Sequence, residues 1–316
     1  MEHFLISANT VVPFFFVMAL GWGVVKIRLV GDQVIDGLNR LVFFVFLPTN
    51  LFGHLYRADL TTAFDPKLVV YCVVATVVAF LITWLVAGRF IERAKLGTVV
   101  QAGYRGNYII MATPMIALLM GEAALPKAVL MAPFFVSTYS TLAAILFIST
   151  AETNKQSPGK MIPSILLGLL KTPIFLGVMA GLLVNFSGLR LPVMMERSVD
   201  HMVAITIPAA LLGIGGTLRW DKVRRHLKLA ATAMIIKNVA MPLALIVPAV
   251  FFGFRELELA IVAIAALSPT AIVSYATAKN MGGDGDLAAS CLVFSNATAL
   301  FTIVPALTIL RLLHLM

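Results

Sequence analysis

YRGNYIIMATP, residues 104–114, lies inside a long apolar run yet holds an arginine, a glycine, an asparagine and a proline. Proline at 114 removes one helical hydrogen bond and disfavours helical geometry at Thr113, while Gly103 and Gly106 weaken the same helix from its other side. The stretch reads as a membrane helix that is interrupted. Freed backbone groups at that depth are tolerated only where they face protein or a wet cavity.

The surroundings support a membrane reading. Of 316 residues, 60% are hydrophobic and 12% charged, and the mean hydropathy is +0.97. Soluble domains run at about 45–50% apolar and about 25% charged. Apolar segments of about 20 residues, the length that crosses a bilayer core, recur to the last residue and leave no room for a soluble domain. The first begins near Ala8 without a basic leader, so it reads as a retained span rather than a cleaved signal peptide. The net charge of +9 sits in short loops between spans, which the membrane explains better than nucleic acid does. Cys72 and Cys291 stand in apolar surroundings without metal-ligand spacing and read as small core residues.

Ten helices are expected, at roughly 8–26, 34–54, 67–89, 98–120, 125–150, 163–187, 193–218, 228–252, 256–280 and 286–313. The one long polar interval, AETNKQSPGK (151–160), divides them into a five-helix unit over residues 1–150, a short cytoplasmic linker over 151–162 and a second five-helix unit over 163–316. Lysines and arginines number fifteen on the side of the loops after odd-numbered helices and seven on the other. That bias places the first side in the cytoplasm and both termini outside. Arg105 and Lys237 are left over, both at membrane depth.

The two halves also resemble each other. VVPFFFVMALGWGVV (11–25) aligns with KTPIFLGVMAGLLVN (171–185), placing Pro13 over Pro173 and Gly21 over Gly181. The same shift lays Asp36 over Glu196 and Pro48 over Pro208, and nearby shifts lay Phe135 over Phe294, Ser137 over Asn296 and Pro114 over Pro269. Five crossings is an odd number, so the second unit enters the membrane from the opposite side. Inverted repeats of this kind build alternating-access transporters, and paired broken helices mark their binding sites.

The candidate site follows from depth and residue type. Pro114 in the fourth helix and Pro269 in the ninth are the expected helix breaks. Arg105 has no carboxylate well inside any span to pair with, so an anionic substrate is a candidate counter-ion; snorkelling to the headgroups is the structural alternative. Lys237 is a second candidate, for holding an anion or carrying a proton, against snorkelling from the interior. Asn107, Thr113, Ser137, Tyr139, Ser268, Thr270 and Asn296 gather at the same depth as candidate substrate-binding groups. A lone Ser or Thr in a membrane helix more often bonds its own backbone or joins two helices, so Asn107 and Asn296 are the more telling. GIGGTL (213–218) reads as a close helix contact first and a hinge second. No catalytic residue set, metal site or resident cofactor is indicated; H+ or Na+ is the candidate coupling ion.

QAGYRGNYIIMATPM (101–115) resembles the fourth-helix signature of the auxin efflux carrier family, whose bacterial members include malonate and malate permeases. LNRLVFFVFLPTNLF (38–52), PAALLGIGGTL (208–218), KNVAMPL (237–243) and SPTAIVSYATAKNMGGDGDLAASCLVFSNATAL (268–300) are similar to the same family's second, seventh, eighth and last two helices. The resemblance implies an all-α polytopic protein of ten helices in two inverted five-helix repeats, the architecture shared with bile-acid sodium symporters. It implies a scaffold domain and a transport domain, each drawn from both repeats, and a fourth and ninth helix that break and cross beside the substrate. Asn107, Pro114 and Pro269 are the positions that inherit this role. A small carboxylate such as malonate or malate, a bacterial cytoplasmic membrane and a candidate homodimer complete the expectation.

The leading function is therefore a secondary active carrier of small organic anions. Its rival is a sodium- or proton-coupled carrier of a neutral or amphipathic cargo, in which Arg105 is structural. A channel or membrane sensor ranks below both. A membrane enzyme would need a nucleophile–base set or metal ligands, whereas His3, His54, His201, His226 and His314 sit at ends and loops. The chain lacks the P-loop pattern of an ATP-driven pump.

Overall fold

The computed structural model describes residues 2–150, 170–218 and 224–316. The linker 151–162 and the start of the expected sixth helix lie outside them. Among the described residues the regular elements are all helices, apart from one antiparallel bridge between Gly106 and Thr270. Seven helices are long and apolar enough to cross a membrane: His3–Lys26, Asp32–Leu55, Pro66–Ala87, Glu122–Thr150, Val193–Thr217, Leu227–Phe251 and Gly285–Leu312.

In chain order the elements are α1 (Glu2–Lys26), α2 (Asp32–Leu41), α3 (Leu47–Leu55), α4 (Leu60–Ala63), α5 (Pro66–Ala87), α6 (Arg93–Tyr104), α7 (Thr113–Met120) and α8 (Leu125–Thr150). Then come α9 (Pro173–Ser187), α10 (Val193–Thr217), α11 (Leu227–Ile235), α12 (Met241–Phe251), α13 (Glu256–Leu267), α14 (Val273–Asn280) and α15 (Gly285–Leu312). Among the described residues three π turns lead into helices: Val42–Phe46 before α3, Tyr108–Ala112 before α7 and Ile236–Ala240 before α12. Each is followed by a proline in the first turn of the next helix, at Pro48, Pro114 and Pro242. The cause is local. A proline has no N–H for the carbonyl four residues back and its ring presses on that carbonyl, so the turn before it widens by one residue. At Val42–Phe46 and Ile236–Ala240 the long helices Asp32–Leu55 and Leu227–Phe251 run through the turn without ending.

Two close pairs organise one side of the molecule. α1 lies along α10, and α9 lies along α3, so the first helix of each half packs on the second helix of the other. Both contacts need glycine. A Cβ at Gly215 would stand 1.9 Å from the Met18 carbonyl oxygen, and one at Gly177 would stand 2.4 Å from that of Pro48. GIGGTL is thus a close-approach surface, as its composition suggests. The Asn185 amide locks the second pair by donating to the carbonyls of Leu55 at 3.1 Å and Ala58 at 2.7 Å. Arg57, just past the end of α3, donates to Asp200 at 2.7 Å, and that carboxylate raises its pKa above the usual arginine value.

The remaining helices, α5–α8 and α11–α15, form a second group with its own ties. Lys127 joins Glu258 and, at 3.4 Å, Asp65, which brings the starts of α8, α13 and α5 together. Tyr104 donates to the Tyr139 carbonyl at 2.8 Å, Tyr108 to that of Ala128 at 2.7 Å, and Arg311 to that of Leu119 at 3.3 Å. These bonds stay inside one group. Between the groups, α1 packs on α15 and α7, and α3 packs on α8.

Candidate substrate site at the meeting of two broken helices

α6 ends at Tyr104, and the chain runs extended through Arg105 (φ −83°, ψ 103°) before turning helical again at Tyr108. α13 ends at Leu267 and α14 starts at Val273. The two gaps lie against each other. The Asn107 amide donates to the Pro269 carbonyl at 2.9 Å, and the Ala271 amide to the Arg105 carbonyl at 3.2 Å. Each break thereby satisfies backbone groups that the other has freed, which a low-dielectric interior demands. Gly106 is required at this contact: a Cβ there would lie 2.6 Å from the Ser268 hydroxyl and 2.9 Å from the Ala265 carbonyl oxygen.

One expectation needs correcting. The fourth helix does not break at Pro114. It breaks at Arg105–Asn107, and Pro114 sits buried in the first turn of α7 behind a π turn that absorbs its missing N–H. Pro269, by contrast, stands in the break of the ninth helix. Its neighbours across the contact are Gly106 and Asn107 rather than Pro114.

The predicted site residues divide between two faces of this crossover. On the face toward α15, Thr270 donates its hydroxyl to the Ala102 carbonyl at 2.8 Å, covering one of the carbonyls that the end of α6 leaves free. Its amide donates to the Ser295 hydroxyl at 3.1 Å, which in turn donates to Asn238 Oδ1 at 3.2 Å. Asn296 donates to the Leu292 carbonyl at 2.8 Å, Ser268 to that of Ala265 at 2.8 Å and Lys237 to that of Ala266 at 2.7 Å. Thr113 bonds its own helix, at the Ile109 carbonyl, 2.6 Å away. Replacing Thr270 with valine keeps the shape and strands a buried carbonyl, so the purified variant should lose about 1–3 kcal/mol of stability. A lowered thermal unfolding midpoint in detergent checks this.

The opposite face opens on a cavity of about 160 Å³. Arg105, Asn107 and Tyr139 stand in its wall, with Tyr108–Ile110 and Ala271–Val273 from the two breaks. The far wall is mostly apolar: Val42, Phe43 and Leu47, then Ile174, Ala210 and Ile214 from α9 and α10. Ser137 lines a smaller neighbouring cavity. Thr113, Lys237, Ser268, Thr270 and Asn296 are not in the main cavity's wall. Sequence reading missed Ser140, Asn39 and Thr172, which are. Asn39 and Thr172 belong to the first helix group, where no interrupted helix drew notice to them.

The cavity is positive. Arg105 is 7% exposed, and among the described residues its guanidinium reaches only the hydroxyls of Thr277 and Ser140, each at 3.4 Å. Those contacts lie beyond normal hydrogen-bond length. Among the described residues no carboxylate lines the cavity and none pairs with Arg105. The arginine is enclosed by protein. Asn107 adds a buried Nδ2 without a partner. The first amide to bond back within the half-helix through α7 is that of Met111, onto the Asn107 carbonyl. The amides of Tyr108, Ile109 and Ile110 thus form the open, partly positive end of a helix at the cavity wall.

The profile of the family described as "Membrane transport protein" matches residues 6–305. The chain belongs to this auxin efflux carrier family. A Methanothermobacter thermautotrophicus protein named "Uncharacterized transporter" is similar at 23% identity over 303 residues, 95% of this chain and 97% of its own length. A Rhizobium meliloti (strain 1021) protein named "Putative malonate transporter" is similar at 25% identity over 218 residues, 68% of each chain. Auxin efflux carriers are membrane transporters, and the helices of this member suit an integral membrane protein.

Proposed function

We propose that this member is a secondary active carrier that moves a small mono- or dicarboxylate, of the malonate or malate class, across the cytoplasmic membrane by alternating access. One observation carries the reading: a buried guanidinium, with no carboxylate partner among the described residues, lines a small cavity beside two broken helices. A carboxylate matches the planar fork of an arginine and supplies the missing charge. Size points the same way. The cavity of about 160 Å³ falls below the roughly 300–1,000 Å³ of sites for drug-sized ligands, which favours a cargo of a few heavy atoms over a bulky amphipath. The relative named for malonate agrees with that class.

The architecture that goes with this function is ten helices in two inverted five-helix repeats, residues 1–150 and 163–316. α1–α3, α9 and α10 serve as the scaffold and the second group as the moving domain. The reciprocal pairs, α1 on α10 and α9 on α3, support the repeat, since a two-fold relation exchanges them. Both termini lie outside, by the distribution of basic residues.

The test is thermal stabilisation of the purified protein by a panel of carboxylates, followed by counterflow in proteoliposomes. A ligand at about 100 times its Kd stabilises by about 2.7 kcal/mol, so a true cargo should raise the unfolding midpoint visibly. Malonate or malate should do so, and preloaded substrate should speed the entry of labelled substrate. Stabilisation by neutral amphipaths with none by carboxylates would overturn the reading.

A further inference from the structure

Arg105 and Lys237 are the two buried basic residues among the described residues. The first faces the cavity, and the second does not. Lys237, 1% exposed, stands in the π turn ahead of Pro242 and points its ammonium at the end of α13, donating to the Ala266 carbonyl at 2.7 Å. Among the described residues no carboxylate forms an ion pair with it.

Its surroundings are those of a cation site. The last carbonyls of a helix lack N–H partners and carry partial negative charge. In transporters with broken helices, half-helix C-termini and unwound carbonyls hold the coupling cation. Here the end of α13 offers the carbonyls of Ala265 and Ala266 together with the Ser268 hydroxyl. Two of these groups and the ammonium lie close to Gly106, whose missing Cβ would stand 2.6 Å from the Ser268 oxygen, 2.9 Å from the Ala265 oxygen and 3.3 Å from Lys237 Nζ. Nζ thus stands at the free carbonyl end of α13, a position whose partial negative charge would draw a bare monovalent ion. A lysine is suited to this, being a compact point charge with three donors on a long stem.

We infer that Lys237 is a tethered cation that fills the position of an exchangeable sodium ion at the crossover, so that the protein folds and works without sodium. Lys237 is then a positioning residue: it holds the end of α13, and through Gly106 the contact between the two breaks, without touching cargo. The part of this inference that concerns transport rests on the carrier reading above; the part that concerns stability does not.

The experiment compares wild type, Lys237→Met and Lys237→Gln in sodium chloride and in choline chloride at equal ionic strength. Methionine removes both charge and donor, whereas glutamine keeps a donor for the Ala266 carbonyl without charge. The thermal midpoint of the wild type should be indifferent to the choice of salt. Both variants should unfold earlier in choline and recover part of the loss in sodium. Malonate uptake by Lys237→Gln should run about tenfold faster in sodium than in choline, while that of the wild type should not change. A purely structural lysine would leave both variants equally damaged in both salts, and that outcome overturns the inference. Sodium stimulation of the wild type overturns it as well, and this arm decides alone if neither variant yields folded protein. If no carboxylate is carried under any condition, the functional reading fails and the salt dependence of the midpoints still decides the role of Lys237.

Discussion

Replacing Arg105 with glutamine lowers carboxylate uptake by about 100-fold or more and leaves the protein folded. The magnitude follows from what the cavity would lose. Hydrogen bonds to a charged group contribute about 1.5–3 kcal/mol each, and leaving a buried charge without its partner costs about 3–5 kcal/mol. At about 1.4 kcal/mol per tenfold, a loss near 3 kcal/mol already removes two orders of magnitude. Folding should not suffer. Among the described residues the guanidinium makes two long contacts, and an arginine at membrane depth costs about 2.5–3.5 kcal/mol to insert. A glutamine removes that cost. Lysine at the same position keeps the charge and loses the fork, so it should fall between the two. Counterflow gives the rate and the unfolding midpoint gives the stability. A glutamine variant that carries carboxylate at the wild-type rate would sink the anion reading.

The second large effect is on the fold. Gly215→Leu should abolish the recovery of monodisperse protein, because its Cβ alone would stand 1.9 Å from the Met18 carbonyl oxygen. The obstacle is backbone, so neither a rotamer change nor a small shift relieves it. Overpacking costs about 1–3 kcal/mol where side chains can give way, and more where they cannot. α1 would have to move off α10, taking one of the two close pairs with it. Gly23→Ala in α1 is the control. A Cβ there meets nothing within 4 Å, so its size-exclusion profile should match that of the wild type.

The sequence made the depth of each polar residue legible, and not the face it occupies. Arg105, Asn107, Thr270, Asn296 and Lys237 all stand near the middle of apolar runs. The tertiary arrangement sends the first two to the cavity and leaves the others out of its wall. The location of the fourth-helix break was hidden for a related reason. A proline announces a lost hydrogen bond, but a π turn can absorb that loss, as it does before Pro48, Pro114 and Pro242. The break fell instead at Gly106, where the other helix comes closest. The close-packing role of GIGGTL was legible because small residues in a membrane helix have few other uses. Its partner α1 was not, since pairing across the two halves depends on how they assemble.

The separation of the crossover into a bonded side and a cavity side bears on how such a protein could change over time. Thr270, Ser295 and Asn238, which bond the packed face of the crossover, contribute nothing to the cavity's lining, and Val42, Phe43 and Ile214 in that lining take no part in those bonds. Cargo preference can thus drift through exchanges among greasy side chains without eroding the scaffold's integrity. A library randomised at those three positions should keep most of its members foldable while shifting which acids they carry.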